Sequence, residues 1–381
     1  MQGYINDFLS GKDVTAYENG NMDSDTAMKY NALFACVRVL SETVASMPIK
    51  IYRKLPNGER ESVSNELIYD VLHNKPNSEM SPFSFKEQMM ISLNLGGNSV
   101  SEKLFNSKGE LVGLYPYQHQ DVQIDRNKES GKLEYKIGGK TLQREQVFHV
   151  AGMSFDGVVG LPPIEYIATA IRLGLSYEQF GVNFYKNGAN SSGVIEHPEG
   201  LDDEHYQRLK KDFEKSYQGL ANTGKPIILE GGAKFNQLTI KPADAQLIES
   251  KKFQIEDIAR VYRMPLHLIQ NLDRATNNNI EHQSLEFVKF TMLPWFQRIE
   301  EAINCQLLTA EQRLKGYYAE FKIDALLRGD MKSRYDSYAV GRQWGFMSVN
   351  EIRKLENMNA VENGDILLQP SNMIEAGGGE E

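Results

Sequence analysis

Gly219-Leu-Ala-Asn-Thr-Gly224-Lys225 has the GxxxxGK spacing of a loop that cradles phosphates. Such a loop needs a strand before it, a helix after it, and Ser or Thr beside the lysine to hold magnesium. Here Pro226 occupies that place, a helical pattern precedes and a strand pattern follows, so the sequence argues against a nucleotide site. Gly152-Met-Ser-Phe-Asp-Gly157 places Ser154 near glycines but lacks the GxSxG spacing of a nucleophile elbow, so Ser154 is expected to be a turn residue. The seven histidines are scattered, with no HExxH and no i,i+4 pair, and Cys36 and Cys305 stand far apart without a CxxC. The expectation is therefore no catalytic residue, no cofactor and no metal.

The bulk composition favours a folded, multi-part protein. The 381 residues exceed one average domain, and 41% hydrophobic with 24% charged residues is ordinary globular usage. No run of eighteen apolar residues occurs, and Met1-Gln-Gly-Tyr-Ile-Asn-Asp-Phe-Leu-Ser10 lacks a basic start and an apolar core, so no membrane span and no secretion are expected. A formal charge of -9 opposes a protein that grips nucleic acid tightly. It suits loose contact, in which a polyanion slides because few fixed cations release its counterions.

Residues 1–28 are polar and rich in Gly, Asn and Asp, and are expected to form a flexible arm. Leu33, Val37, Leu40, Val44 and Met47 predict a helix from Tyr30 that Pro48 stops, followed by a hairpin turning at Leu55–Gly58. Short helices over Glu66–Leu72 and from Ser81-Pro82 to Leu95 come next, then an antiparallel meander between Asn98 and Val150. Leu161-Pro-Pro163 opens a long helix with Ile164, Ile167, Ile171 and Leu175 on one face and an end at Asn187-Gly188. Gly174 and Gly181 lie inside it, each costing about 1 kcal/mol relative to Ala, so either the helix simply tolerates them or a neighbouring helix approaches closely there.

A compact insertion follows: strands at 193–196, 226–230 and 235–240 around a helix over 202–218, whose Asp202, Asp203 and Glu204 complement the helix dipole. From Pro242 a second long helix carries Ile248, Lys252, Ile255, Ala259 and Tyr262 on one seam and ends at Met264-Pro265. The Asn-rich stretch Asn271–Asn279 reads as a mobile loop. A third helix over Glu281–Leu308 should present Leu285, Val288, Met292, Trp295 and Ile299 on one face and bend at Pro294, since an interior proline costs roughly 3 kcal/mol. A strand at 317–321, a helix over 330–345 and a capping box at Ser348/Glu351 complete the pattern.

The order of these motifs resembles the HK97-like portal family of tailed bacteriophages. The resemblance is carried by Tyr30–Pro48, His73–Met80, Leu114–Pro116, Phe148–Val150, Asp156–Pro163 and Lys186–Ala189. It continues through Leu229–Gly232, Asp244–Gln246, Ile258–Pro265, Leu326–Asp330 and Asn350–Arg353, spanning about residues 25 to 370. No one motif is specific, but many in a fixed order are. One departure is Leu266-His267 after Pro265, where the family more often has a second proline or a small residue.

The resemblance implies an α+β portal fold with an α/β wing (29–160), a helical stem (161–189 and 243–269) and a small α/β clip insertion (190–242). A tunnel loop (270–280), a wing helix and strand (281–329), a small helical crown (330–363) and a flexible tail (364–381) would complete it. It also implies a ring of twelve copies at one capsid vertex, made in the bacterial cytoplasm, which passes double-stranded DNA without reading its sequence. Its expected partners are the large terminase subunit, a head-tail adaptor and the major capsid or scaffold protein. On this reading Asn277, Asn278, Asn279 and Arg274, with Lys251, face DNA; Gly174, Gly181, Ile248, Ile255 and Ala259 pack the stem; Asp203, Tyr206, Lys210 and Tyr217 dock partners on the clip. Two other classes stay open from the residues alone: a ring-forming pore or scaffold protein that handles no DNA, and a soluble enzyme.

Overall fold

Leu33, Val37, Leu40 and Val44 fall on one side of helix α2 (Asn31–Ser46), behind a short helical turn α1 (Ser24–Ala27), and all four are buried. The computed structural model describes residues 22–186, 193–198, 202–217, 232–237, 243–269, 283–323, 326, 331–356 and 358–368. Residues 22–28 depart from the expected flexible arm: Asp23 caps α1, and Met22 and Ala27 are buried in the main core. Short polar side chains hid this, because Ser24 is buried and bonded to the ring of His119 at 2.6 Å.

Strands β1 (Ile49–Lys54) and β2 (Arg60–Val63) form the expected hairpin. Helix α3 (Leu67–Tyr69) continues as a π-turn to Asn74, beyond the predicted stop at Leu72. Helix α4 (Pro82–Gly96) starts with Ser81 Oγ accepting from the Ser84 amide and ends on left-handed Gly97. A side chain at Gly97 would strike the Leu161 carbonyl, so this turn needs glycine twice over.

The predicted meander over 98–150 is instead two sheets. β3 (Asn98–Phe105) lies between β4 (Leu111–Pro116) and β8 (Val147–Ala151), while β5 (Val122–Arg126), β6 (Leu133–Ile137) and β7 (Lys140–Gln143) form a separate sheet. Pairing of β3 with β8 spans some fifty residues, a distance that alternation of polar and apolar residues cannot encode.

After α5 (Pro163–Tyr166) the long helix is interrupted at Ile167 and resumes as α6 (Ala168–Lys186). The insertion contributes β9 (Gly193–Glu196), α7 (Asp203–Tyr217) and β10 (Lys234–Gln237), with β9 and β10 antiparallel. Helix α8 (Ala243–Val261) packs on α6.

Pro294 does not simply bend the third long helix. Residues Phe287–Met292 widen into a π-helix, the Leu293 amide reaches back to Val288, and Pro294 falls in the first turn of α9 (Leu293–Gln306), where a missing N–H is tolerated. Of the predicted stripe, Val288, Met292 and Ile299 are buried and Leu285 is exposed.

Helix α10 (Ala310–Leu314) then leads to β11 (Tyr317–Phe321), which joins the edge of β1. Helices α11 (Met331–Gln343) and α12 (Val349–Leu355) follow, the latter with the predicted capping box between Ser348 and Glu351.

Candidate functional site

The helix pair α6/α8 is seated on the core by its inner face. Ile171 and Ile258 are fully buried, Ala259 nearly so and Ile255 half-buried, while Ile248 is placed by its backbone. Gly174 is in close contact, not with a neighbouring helix of the pair but with the aromatic ring of Tyr30. Gly181 faces open space in the single chain. Burial pushes the Tyr30 hydroxyl up to about 12, with Glu178 adding to the effect. Burial also holds the Glu178 carboxyl above the usual carboxylate range, with Lys251 pulling the other way.

The outer faces of the same helices carry exposed apolar side chains: Leu173 and Phe180 on α6, and Phe253 on α8. Isolated exposed apolar residues are unremarkable, but two facing helices that share a run of them point to an interface.

The C-terminal end of α8 is pinned firmly. Tyr262 Oη donates to the Asn94 carbonyl at 2.8 Å, and burial pushes that hydroxyl upward. Arg263 adopts φ 49, the left-handed region, and its carbonyl accepts from Thr291 Oγ1 at 2.8 Å. Residues 266–269 and 283–284, on either side of the predicted tunnel loop, are clasped together by His267. Its Nδ1 lies 3.0 Å from Gln283 Oε1 and its Nε2 lies 3.2 Å from Ser284 Oγ. Sequence reasoning noted His267 as a departure and missed this role, since its partners are sixteen and seventeen residues away. Asn277, Asn278, Asn279 and Arg274 lie outside the described residues; Lys251 is exposed on α8.

On the insertion, Asp203, Tyr206 and Lys210 are exposed along α7, and Tyr217 is placed as its last helical residue. Asp202 stands just before the helix as its cap rather than in the first turn. Its carboxylate accepts from the His205 amide at 2.8 Å and is thereby held below the usual range.

Ser154 Oγ donates to Asp156 Oδ1, which also accepts the amides of Val158 and Val159, as in a turn. These bonds, that from Val159 foremost, hold the Asp156 carboxyl at about 2. Residues 219–225 lie outside the described residues. Among the described residues no His, Cys, Asp and Glu group is arranged to hold a metal ion, and no helix is long and apolar enough to cross a membrane.

The family model described as phage portal protein matches residues 31–357 of the chain. The chain belongs to the phage portal protein family. This portal chain is 29% identical over 374 residues to a protein described as the probable portal protein of Streptomyces phage phiC31, covering 93% of this chain and 78% of that one. It is 27% identical over 367 residues to the portal protein of Enterobacteria phage HK97, covering 93% and 85%.

The fold matches the crystal structure of an HK97 family phage portal protein from Corynebacterium diphtheriae, with TM-score 0.62 at 16% identity, over 82% of this chain and 99% of that one. It also matches a chain of the native gene transfer agent virion, with TM-score 0.62 at 21% identity, over 92% and 94%. A chain from the neck of the native gene transfer agent particle, computed with C12 symmetry, matches with TM-score 0.60 at 21% identity, over 88% and 92%. The portal family is a structural rather than an enzymatic one.

Proposed function

We propose that this chain is the repeating subunit of a portal ring at one capsid vertex, the conduit through which double-stranded DNA is packaged and ejected. The observation that carries the ring is the apolar outer face of α6 and α8: Phe180 and Phe253 are each more than half exposed, while Ile171 and Ile258 on the same helices are buried in the core. A neighbouring copy would bury them, and a heterologous contact of that kind closes into a ring when its rotation allows.

In this reading α6 and α8 are the stem, residues 190–242 the clip that docks terminase and the head-tail adaptor, residues 270–280 the tunnel loop, and α11 with α12 the crown. The major capsid or scaffold protein surrounds the wing. Acidity supports passage over sequence reading: each copy adds a charge of -9, so the ring repels the DNA it conducts and binds its phosphates weakly. The subunit would be made in the host cytoplasm and act in the virion.

Encapsidation tests this function. Phage lacking the chain should build shells without DNA, and complementation should restore filling. Normal filling without it would refute the reading. Deleting Asn277–Asn279 probes the tunnel assignment, and rings that still package and retain DNA at full yield would remove it.

A further inference from the structure

A cavity of about 420 Å³ opens where α8 ends against α9, and its walls and rim differ in character. Leu161, Tyr166, Trp295 and Phe155 supply apolar wall; Phe155 is 82% exposed and Tyr166 63%, so much of that wall is uncovered. Arg263 and Arg298 line the same cavity and both are exposed. Arg298 Nη1 donates to the carbonyls of Ala151 and Gly152 at 2.9 and 2.7 Å, and Arg263 Nη1 to that of Phe290 at 3.3 Å. No carboxylate among the described residues pairs with either guanidinium. Two oriented cations with donors to spare, set beside open apolar surface, suit a ligand that is acidic and aliphatic at once.

The chain displays such a ligand near its end. Glu362 and Asp365 precede Ile366-Leu367-Leu368, all five are exposed, and the three apolar side chains are each more than half exposed. Arg342 Nη1 donates to the Ile366 carbonyl at 2.7 Å, which holds the strap in place while its side chains stay uncovered.

We infer that Glu362–Leu368 of one copy docks in the Arg263/Arg298 cavity of the next, carboxylates on the guanidiniums and aliphatic side chains on the apolar wall. The contact is heterologous, so it adds a second point of attachment between neighbours, remote in sequence from the stem faces. It rests on the ring reading and deepens it. Duplex DNA is the weaker occupant, since a phosphate backbone has no use for the apolar wall.

The test uses full-length protein carrying Cys305→Ser, so that only introduced thiols react at the surface, with Phe155→Cys and Leu367→Cys. Mild oxidation of assembled rings should give a ladder of covalently joined copies, while either cysteine alone should not. In parallel, Arg263→Glu and Asp365→Arg should each weaken subunit association about tenfold, and the double variant should recover most of the loss. Intact rings that give no ladder, or only a cross-link within one chain, would overturn the inference. So would an Arg263→Glu ring of full stability that has lost DNA binding, because the arginines would then serve phosphate. Failure of the parent protein to form rings is a different result and counts against the ring reading itself.

Discussion

The ring of Tyr30 occupies the space where Gly174 lacks a side chain: a Cβ built at Gly174 would lie 2.4 Å from Tyr30 Cζ. Tyr30 precedes helix α2 and Gly174 lies in α6, so this contact sets how closely the stalk approaches the base. Gly174→Ala gains about 1 kcal/mol in helix propensity but forces a fully buried ring to move, at about 1–3 kcal/mol. The net should be a loss in urea unfolding. Gly181→Ala meets nothing within 4 Å in the single chain and should stabilise it by up to about 1 kcal/mol. If α6 packs closely on a neighbour at Gly181, the same variant will assemble poorly despite its more stable subunit.

Gln306 acts as a short piece of strand. Its Oε1 accepts from the His149 amide at 2.9 Å and its Nε2 donates to the His149 carbonyl at 2.7 Å, completing the free edge of β8. Gln306→Leu should cost about 1–3 kcal/mol and abolish hydrogen-exchange protection of the His149 amide. Unchanged protection would show that the edge is covered by other means.

That contact marks the limit of what the residues disclosed. Helices α2, α6 and α8 were legible because Leu33 and Val37, Ile171 and Leu175, and Ile255, Ala259 and Tyr262 repeat at helical spacing, and α4 and α12 because Ser81-Pro82 and the Ser348/Glu351 pair carry local cap chemistry. Glu300 and Asn304 were not legible as edge caps, although they accept the amides of Phe321 and Ala319 on β11 at 2.7 Å each. No local period marks either residue, and only the tertiary fold brings the strand edge to them. The Tyr30 contact behind Gly174 and the His267 clasp were hidden for the same reason, since each joins residues that no local period connects.

Pro294 follows directly on the π-turn over Phe287–Met292, whose wider spacing takes up the missing N–H inside a continuous helix. Pro294→Ala should therefore change unfolding free energy by less than about 1 kcal/mol. A gain near 3 kcal/mol, the amount an interior proline costs, would mean that the π-turn over Phe287–Met292 does not relieve it.

His149 is buried between Tyr135 Oη, 3.0 Å from its Nδ1, and Asn98 Oδ1, 3.0 Å from its Nε2. Burial, aided by Arg144, drives its pKa down to about 3. The unfolded chain protonates near 6.5, so it binds the extra proton at higher pH than the folded chain does. This contribution to stability is present above about 6.5 and is lost as pH falls toward 3, by at most about 1.4 kcal/mol per pH unit. Unfolding measured at pH 7 and pH 4.5 should show a steeper acid loss for the parent than for His149→Gln. Equal slopes would show that His149 is not held neutral.

The most direct measurement is the solution mass of the purified chain by native mass spectrometry, paired with negative-stain images. The portal reading predicts closed rings, a many-fold multiple of the 43.2 kDa chain, with a central channel. A species that remains at 43.2 kDa under conditions where the fold is intact would contradict it.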